Sequence, residues 1–429
     1  MNPTQCEQLA VTVGDLLAHP DAPALPTRQP WWRQSLALGV PGIALLHVEL
    51  AAAGLRPWQR VHRWLAVVTG GPVTAGADSH PFHGAPALAH VLACAAAHRP
   101  GTYARALDEL DAAIAADARC RVAAGHARID AGVLPALAEF DAIRGLTGVG
   151  AYLLSRPSSD QELRAVLEYL VRLTAPLRQD NEVLPGWWTG SGPDGRADDR
   201  FPGGHSNNGV AHGIGGPLAL LSLAALRGII VDGQIAAITA ICAWLDRWRG
   251  GTDAGPTWPY WISRAQLYAG RAPTGCAQRP SWCYGTAGLG RAQQLAGLAV
   301  GDPVRRAAAE DALTHALGDP HQLALVTDAS LCHGYAGLAH LAHRTASDAS
   351  DETAARLKGL VPRLLDGIGP AETDPQRTAA ALLGDQTRPG LLDGAAGVAL
   401  AALSYSGPAS TGSAWDSCLL TMPAIRPLT

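Results

Sequence analysis

The chain has 429 residues, of which 48% are hydrophobic and only 16% charged, so it can bury a large core and is a poor match to a disordered chain or a long coiled coil. A formal net charge of −4 leaves no basic footprint for a nucleic-acid partner. No stretch of about 18 apolar residues runs without polar or glycine interruption, which argues against a transmembrane span.

The opening residues show no basic segment followed by an apolar core, so a cytoplasmic chain is expected. Residues 1–30, with Pro20, Pro23, Pro26 and Pro30, read as a strap outside the regular pattern. The first regular element is "LGVPGIALLHVEL", an apolar run entered through Gly39 and Gly42. The same device then recurs. A degenerate copy, "FHGAPALAHVLACAA", has Gly84 but Ala87 in place of the second glycine. "RGLTGVGAYLL" follows at Gly145 and Gly148, and "HGIGGPLALLSLAAL" at Gly213 and Gly216. "YGTAGLGRAQQLAGL" enters at Gly285 and Gly288, and "SLCHGYAGLAHLAHR" at Gly334 and Gly337. "DGAAGVALAALSY" closes the series at Gly394 and Gly397.

Successive first glycines are separated by 45 residues (39 to 84) at the least and 72 (213 to 285) at the most. That period suits one helical hairpin plus loops, the mark of a repeat architecture. The segments after the glycines are apolar nearly all round, as an inner layer requires. Those between, such as "TYARALDELDAAIAADARCRVAA" and "GDPVRRAAAEDALTHAL", carry the charge of an outer layer. Seven helix pairs could stack linearly or close into a ring. Residues 178–208, rich in Gly, Pro, Asp and Trp, break the rhythm as an irregular insertion, and residues 407–429 form an irregular tail. The expectation is a single all-α domain over 1–429.

The copies differ just before their glycines. Cys283 precedes the fifth, Cys332 and His333 the sixth, His212 the fourth; Asp141 lies four residues before Gly145, and Asp393 precedes the last. Brought together at one rim, Cys283, Cys332 and His333 form a Cys₂His set that suits Zn²⁺ and leaves a fourth position open. His212 suits acid–base work near neutral pH. Asp141 could orient that imidazole, take a proton itself, or serve as a helix cap or salt-bridge partner, and Arg279 could stabilise a developing oxyanion or make a surface ion pair. The other cysteines (Cys6, Cys94, Cys120, Cys242, Cys276 and Cys418) are too sparse for a disulfide framework. Cys94, Cys120 and Cys242 read as small buried hydrophobes. His315, His321, His340 and His343 are expected at the surface or behind the site. An opposed carboxylate pair, for which Asp141 and Asp393 are the nearest candidates, would instead suit a glycan-processing enzyme. A non-catalytic peptide-binding scaffold is a third reading.

"AHGIGG", "SWCYGTAGLG" and "CHGYAGL", in that order, resemble the lanthipeptide cyclases, the LanC-like family, in their stand-alone class I form. The resemblance runs from the Gly39 copy to the Gly397 copy. It implies an α/α toroid of seven inner and seven outer helices, and a cyclase that adds peptide cysteine thiols to dehydroalanine or dehydrobutyrine, forming lanthionine or methyllanthionine thioether rings. It further implies one zinc per chain on Cys283, Cys332 and His333, acid–base roles for His212, Asp141 and Arg279, and Tyr284 lining the site. The implied partners are a dehydrated precursor peptide with its leader segment, a lanthipeptide dehydratase and an exporter. A peripheral place at the membrane within a biosynthetic complex is left open.

Overall fold

Residues 1–21, 25, 29, 31–179, 182–252, 255–271, 278–369, 373–384, 388–407 and 414–424 are described by a computed structural model. Pro23, Pro26, Pro30, Cys276 and parts of the insertion and tail lie outside the described residues.

Each of the seven glycine copies opens a helix. These helices are Val40–Ala52, Ala85–His98, Leu146–Leu153, Gly215–Leu226, Thr286–Val300, Tyr335–Ala346 and Ala395–Ser406. They are buried on nearly every face: in the first, all residues from Val40 to Ala51 are buried, His47 and Glu49 included. Seven longer or more amphipathic helices alternate with them: Pro3–Leu16, Gln59–Thr69, Ala104–Asp130, Asp160–Leu173, Gln234–Arg247, Pro303–Gly318 and Asp351–Asp366. The two sets are the inner and outer layers expected from the sequence. The first outer helix lies inside the span read as a strap. Asn2 caps it, with Gln5 returning the bond, and it buries Cys6, Leu9, Ala10 and Val13. It packs so closely on the Val40–Ala52 helix that a Cβ on Gly14 would stand 2.4 Å from Leu50 Cδ1. Cys120, expected buried, is exposed. On its outer helix the buried stripe runs through Ile114, Ala118 and Val122, and Cys120 falls on the opposite side.

The irregular insertion holds short antiparallel strands. Leu177–Gln179 pairs with Glu182–Leu184, and His205–Asn207 pairs with Trp261–Ser263. Its tryptophans are core: Trp187 Nε1 donates to Ser206 Oγ at 2.9 Å and Trp188 Nε1 to the Gly203 carbonyl at 2.9 Å. No helix among the described residues is long and apolar enough to cross a membrane.

The chain forms two compact units. One comprises Met1–Ile114, Val326–His343 and Arg356–Trp415 and holds the sixth, seventh, first and second copies. The other comprises Ala115–Leu325, Arg344–Ala355 and Asp416–Thr429 and holds the third, fourth and fifth. In the second unit, buried Arg291 bonds Asp348 at 2.7 Å and the Met422 carbonyl at 2.6 Å, and Trp282 Nε1 donates to the Leu419 carbonyl at 2.8 Å. Leu419 and Met422 of the irregular tail are thereby tied to the core.

One backbone pattern sets the register of the loops. In the second unit, Ala142 N–H donates to the Ala211 carbonyl and Val210 N–H to the Cys283 carbonyl, both at 3.0 Å. In the first, Cys332 N–H donates to Leu392 O at 3.0 Å, Leu391 N–H to Leu36 O at 3.0 Å, and Leu36 N–H to Phe82 O at 2.9 Å. Within each unit, successive copies are thus linked, the donor always lying two or three residues before its first glycine. The second glycine has a steric reason. A Cβ there would meet the carbonyl oxygen of the residue three before the first glycine, at 2.6 Å for Gly42 on Leu36, 2.1 Å for Gly288 on Trp282, 2.0 Å for Gly337 on Leu331 and 1.8 Å for Gly397 on Leu391. A methyl group cannot enter without displacing the loop.

Two glycine-to-alanine changes should therefore have opposite signs. Gly359, exposed in an outer helix with nothing within 4 Å of an added Cβ, should gain roughly 0.5–1 kcal/mol as Gly359→Ala from helix propensity. Gly337→Ala should lose about 1–3 kcal/mol by overpacking. Thermal melting of the two variants checks the pair; equal shifts would refute the steric account.

Candidate active site

Counting back from the first glycine of each copy gives every position a distinct task. The residue directly before the glycine is Leu38, His83, Arg144, His212, Tyr284, His333 or Asp393. In all seven copies it is at least partly exposed while the glycine behind it is buried. This is the position from which a side chain leaves the loop. One residue earlier stand Ala37, Phe82, Ile143, Ala211, Cys283, Cys332 and Leu392. Cys283 and Cys332 therefore occupy equivalent places, although 49 residues separate them (283 to 332). The ligand atoms of Cys283, Cys332 and His333 all lie within 4.8 Å of one another, a group that could hold a metal ion.

The donor set fits zinc: two thiols that bind as thiolates, and one imidazole. Cys283 is buried, and its Sγ lies 3.4 Å from Ser281 Oγ. His333 sits between carboxylates, with Nε2 3.3 Å from Asp328 Oδ2 and Nδ1 3.9 Å from Asp393 Oδ1. A carboxylate behind a ligating imidazole fixes its tautomer and raises its basicity.

Four residues before the first glycine, a side-chain oxygen closes the turn. Ser35 Oγ accepts from Leu38 N–H at 3.1 Å, Ser281 Oγ from Tyr284 N–H at 3.1 Å, and Ser330 Oγ from His333 N–H at 3.2 Å. Asp141 holds this place in the third copy. Its Oδ1 accepts from Arg144 N–H at 2.6 Å and Gly145 N–H at 2.8 Å. A carboxylate has a second oxygen, and Asp141 Oδ2 lies 2.7 Å from His212 Nδ1. One oxygen thus closes the turn and the other meets the imidazole, whereas the Leu146–Leu153 helix has Gly145 at its N-cap and no side-chain cap bond, so Asp141 is not the helix cap. The Asp141 side chain is 2% exposed and that of His212 36%. A buried carboxylate thus fixes an accessible imidazole. With Nδ1–H donating to Asp141, Nε2 is the nitrogen left to exchange a proton with a ligand.

Tyr284 leaves its loop beside His212, with ring centroids 6.5 Å apart. Asn207 Nδ2 donates to its hydroxyl at 3.0 Å, and Tyr260 and Trp261 pack on its ring at 5.3 and 6.0 Å. Tyr260 in turn donates its hydroxyl to the Arg279 carbonyl at 2.7 Å, and burial pushes that hydroxyl up to about 12. The surface ion pair considered for Arg279 is absent among the described residues, and its buried Nε has no hydrogen-bond partner there. His315 and His321 are exposed as expected, whereas His340 is buried against Trp415, ring centroids 4.9 Å apart.

Asp328, Asn207, Tyr260 and the turn serines are absent from the sequence reading. Ser281 and Ser330 share the position of Asp141, a signal that aligning the copies four residues upstream would have exposed. Asn207 comes from the insertion and Tyr260 directly precedes the strand Trp261–Ser263 that pairs with it, and neither carries a repeat signal.

The solved structure of nisin cyclase superposes with a TM-score of 0.74 over 92% of this chain and 93% of that one, at 19% identity. The chain therefore has the α/α toroid fold. Nisin biosynthesis protein NisC of Lactococcus lactis subsp. lactis is 24% identical over 214 residues, 47% of this chain and 47% of that protein, so the aligned region spans about half the length of that relative. The family model for lanthionine synthetase C-like protein matches residues 30–420. With glycine loops, Cys/His group and fold in agreement, the chain belongs to the lanthionine synthetase C-like family.

Proposed function

We propose that the protein is a zinc-dependent lanthipeptide cyclase that closes thioether rings in a dehydrated precursor peptide. The observation that carries this reading is the Cys283–Cys332–His333 group, whose ligand atoms lie within 4.8 Å of one another in a chain of this family. Those three residues would hold one zinc, whose Lewis acidity lowers the pKa of a thiol presented to it.

In the ring-forming step a cysteine sulfur of the peptide bonds to the β-carbon of a dehydroalanine or dehydrobutyrine. The carbon–carbon π pair moves toward the α-carbon and its carbonyl, and a proton arrives at the α-carbon. The thiol has lost one proton and the α-carbon has gained one, so substrate and product have the same atoms. His212 suits this exchange: Asp141 holds Nδ1, and Nε2 can take up a proton and return it. Asp141 stabilises the imidazolium while it lasts. Arg279, whose buried Nε lacks a partner among the described residues, is assigned to the developing enolate oxygen, and Tyr284 to the wall of the site. The glycan-processing alternative needs a free carboxylate pair, and both oxygens of Asp141 are already engaged. The peptide's leader, a dehydratase acting before ring closure and an exporter after it belong to the same proposal.

Cyclisation leaves mass unchanged, so its assay is thiol alkylation of a dehydrated precursor after incubation with the protein. Cysteines should become resistant to alkylation; full alkylation would refute the cyclase. Metal analysis should find about one zinc per chain, lost in Cys332→Ala and retained in His212→Ala, with ring formation in the latter down by about 10²–10⁴-fold. Asp141 separates turn from chemistry. Asp141→Ser keeps the turn bond that Ser35, Ser281 and Ser330 make, so melting should hold while ring formation falls about 10- to 100-fold, as when the carboxylate behind a functional imidazole is removed. Asp141→Ala should add about 1 kcal/mol of destabilisation. Equal activity of Asp141→Ser and the parent would remove Asp141 from the proton path.

A further inference from the structure

The second copy stands apart in the sequence because Ala87 replaces its second glycine, and the reading above gives it no chemistry. Its loop is nonetheless in register. Phe82 offers its carbonyl to Leu36 N–H at 2.9 Å, the same bond that joins the other copies. In the first unit the run of bonds passes from the sixth copy to the seventh, first and second. It sets His333, Asp393, Leu38 and His83 in succession at the position where a side chain leaves its loop. His83 thus holds in its copy the place that His333 holds in the sixth and His212 in the fourth.

Local structure also presents this imidazole. "HPFH" is a tight turn in which His80 N–H donates to His83 O at 3.0 Å and His83 N–H to His80 O at 2.7 Å. The His80 ring lies 5.7 Å from that of His83, tilted by 33°. The His83 ring is half-buried and makes no hydrogen bond to another described residue. Burial pulls its pKa below the usual histidine range, so it is uncharged near neutral pH and offers one donor and one acceptor. Neither ring nitrogen is among the buried polar atoms that lack a partner, so both are open to solvent and to a ligand.

We propose that His83 is a peptide-binding residue on the run of loops that carries His333, hydrogen-bonding the backbone of the bound precursor peptide through its imidazole. This rests on the cyclase reading above. It makes His83 a positioning residue for the segment that is to be closed, distinct from the Cys/His group and from the Asp141–His212 pair.

The test is histidine carbethoxylation of the full-length protein, read residue by residue by mass spectrometry. The probe is a synthetic peptide with one cysteine and an alanine where the alkene would stand, which can bind but not cyclise. The peptide should slow modification of both His83 and His212 severalfold. Protection of His212 with His83 unchanged would overturn the proposal. Protection of neither would overturn the cyclase reading, and this inference with it. In turnover of dehydrated peptide, His83→Phe should raise KM severalfold with kcat nearly unchanged, and His83→Gln should restore KM. A KM unaltered in His83→Phe, or melting lowered in both variants with KM raised in both, would reduce His83 to a packing residue.

Discussion

Everything in the candidate site depends on one backbone hydrogen bond, repeated. Within each unit an N–H two or three residues before a first glycine donates to the carbonyl at the matching place in the next copy, linking the third copy to the fifth in one unit and the sixth through to the second in the other. Each bond alone is worth about 1 kcal/mol net. Its larger effect is on register, because it leaves the following residue one way to point. The glycine pair serves the same end in the first, fifth, sixth and seventh copies, where a Cβ at the second glycine would stand 2.6, 2.1, 2.0 and 1.8 Å from the carbonyl oxygen it rests on. Cys283, Cys332, His333, His212 and Tyr284 all stand in the two positions that this arrangement presents.

The same scaffold explains how an acid–base pair can be built at little cost to the fold. A turn that requires one side-chain oxygen is closed by serine in three copies and by Asp141 in one. Changing one hydroxyl for a carboxylate keeps the turn and adds a second acceptor, and that acceptor meets His212. The structural and chemical roles of this residue are carried by different atoms, so neither constrains the other.

How much the sequence revealed follows the range of each constraint. The seven inner helices were legible because the glycine requirement is local and steric and recurs seven times. Cys283, Cys332 and His333 were legible because thiols and imidazoles are rare enough to stand out from an alanine- and leucine-rich background. The Pro3–Leu16 helix was hidden by the prolines that follow it and by the lack of a glycine copy ahead of it. Cys120 was misjudged because alanines on the outer face of its helix blur the buried stripe. Asp328 behind His333 and Asn207 on Tyr284 depend on tertiary pairing that leaves no period in the chain. His83 fell between these cases: its copy was aligned at Gly84 but has Ala87 at the second glycine, and the bond from Leu36 shows that its loop keeps the common register.

The link from Leu391 to Leu36 has a bearing on how the chain is made. The second unit draws its three linked copies from one continuous stretch, so their loops can pair soon after leaving the ribosome, during vectorial synthesis. In the first unit, the first and second copies are synthesised early, yet the first copy's carbonyl waits for a donor some 355 residues later (36 to 391). Such a long loop closure is slow to find and leaves apolar helices unshielded in the meantime. The register of the first copy's loop is thus completed only when the last glycine loop has been made.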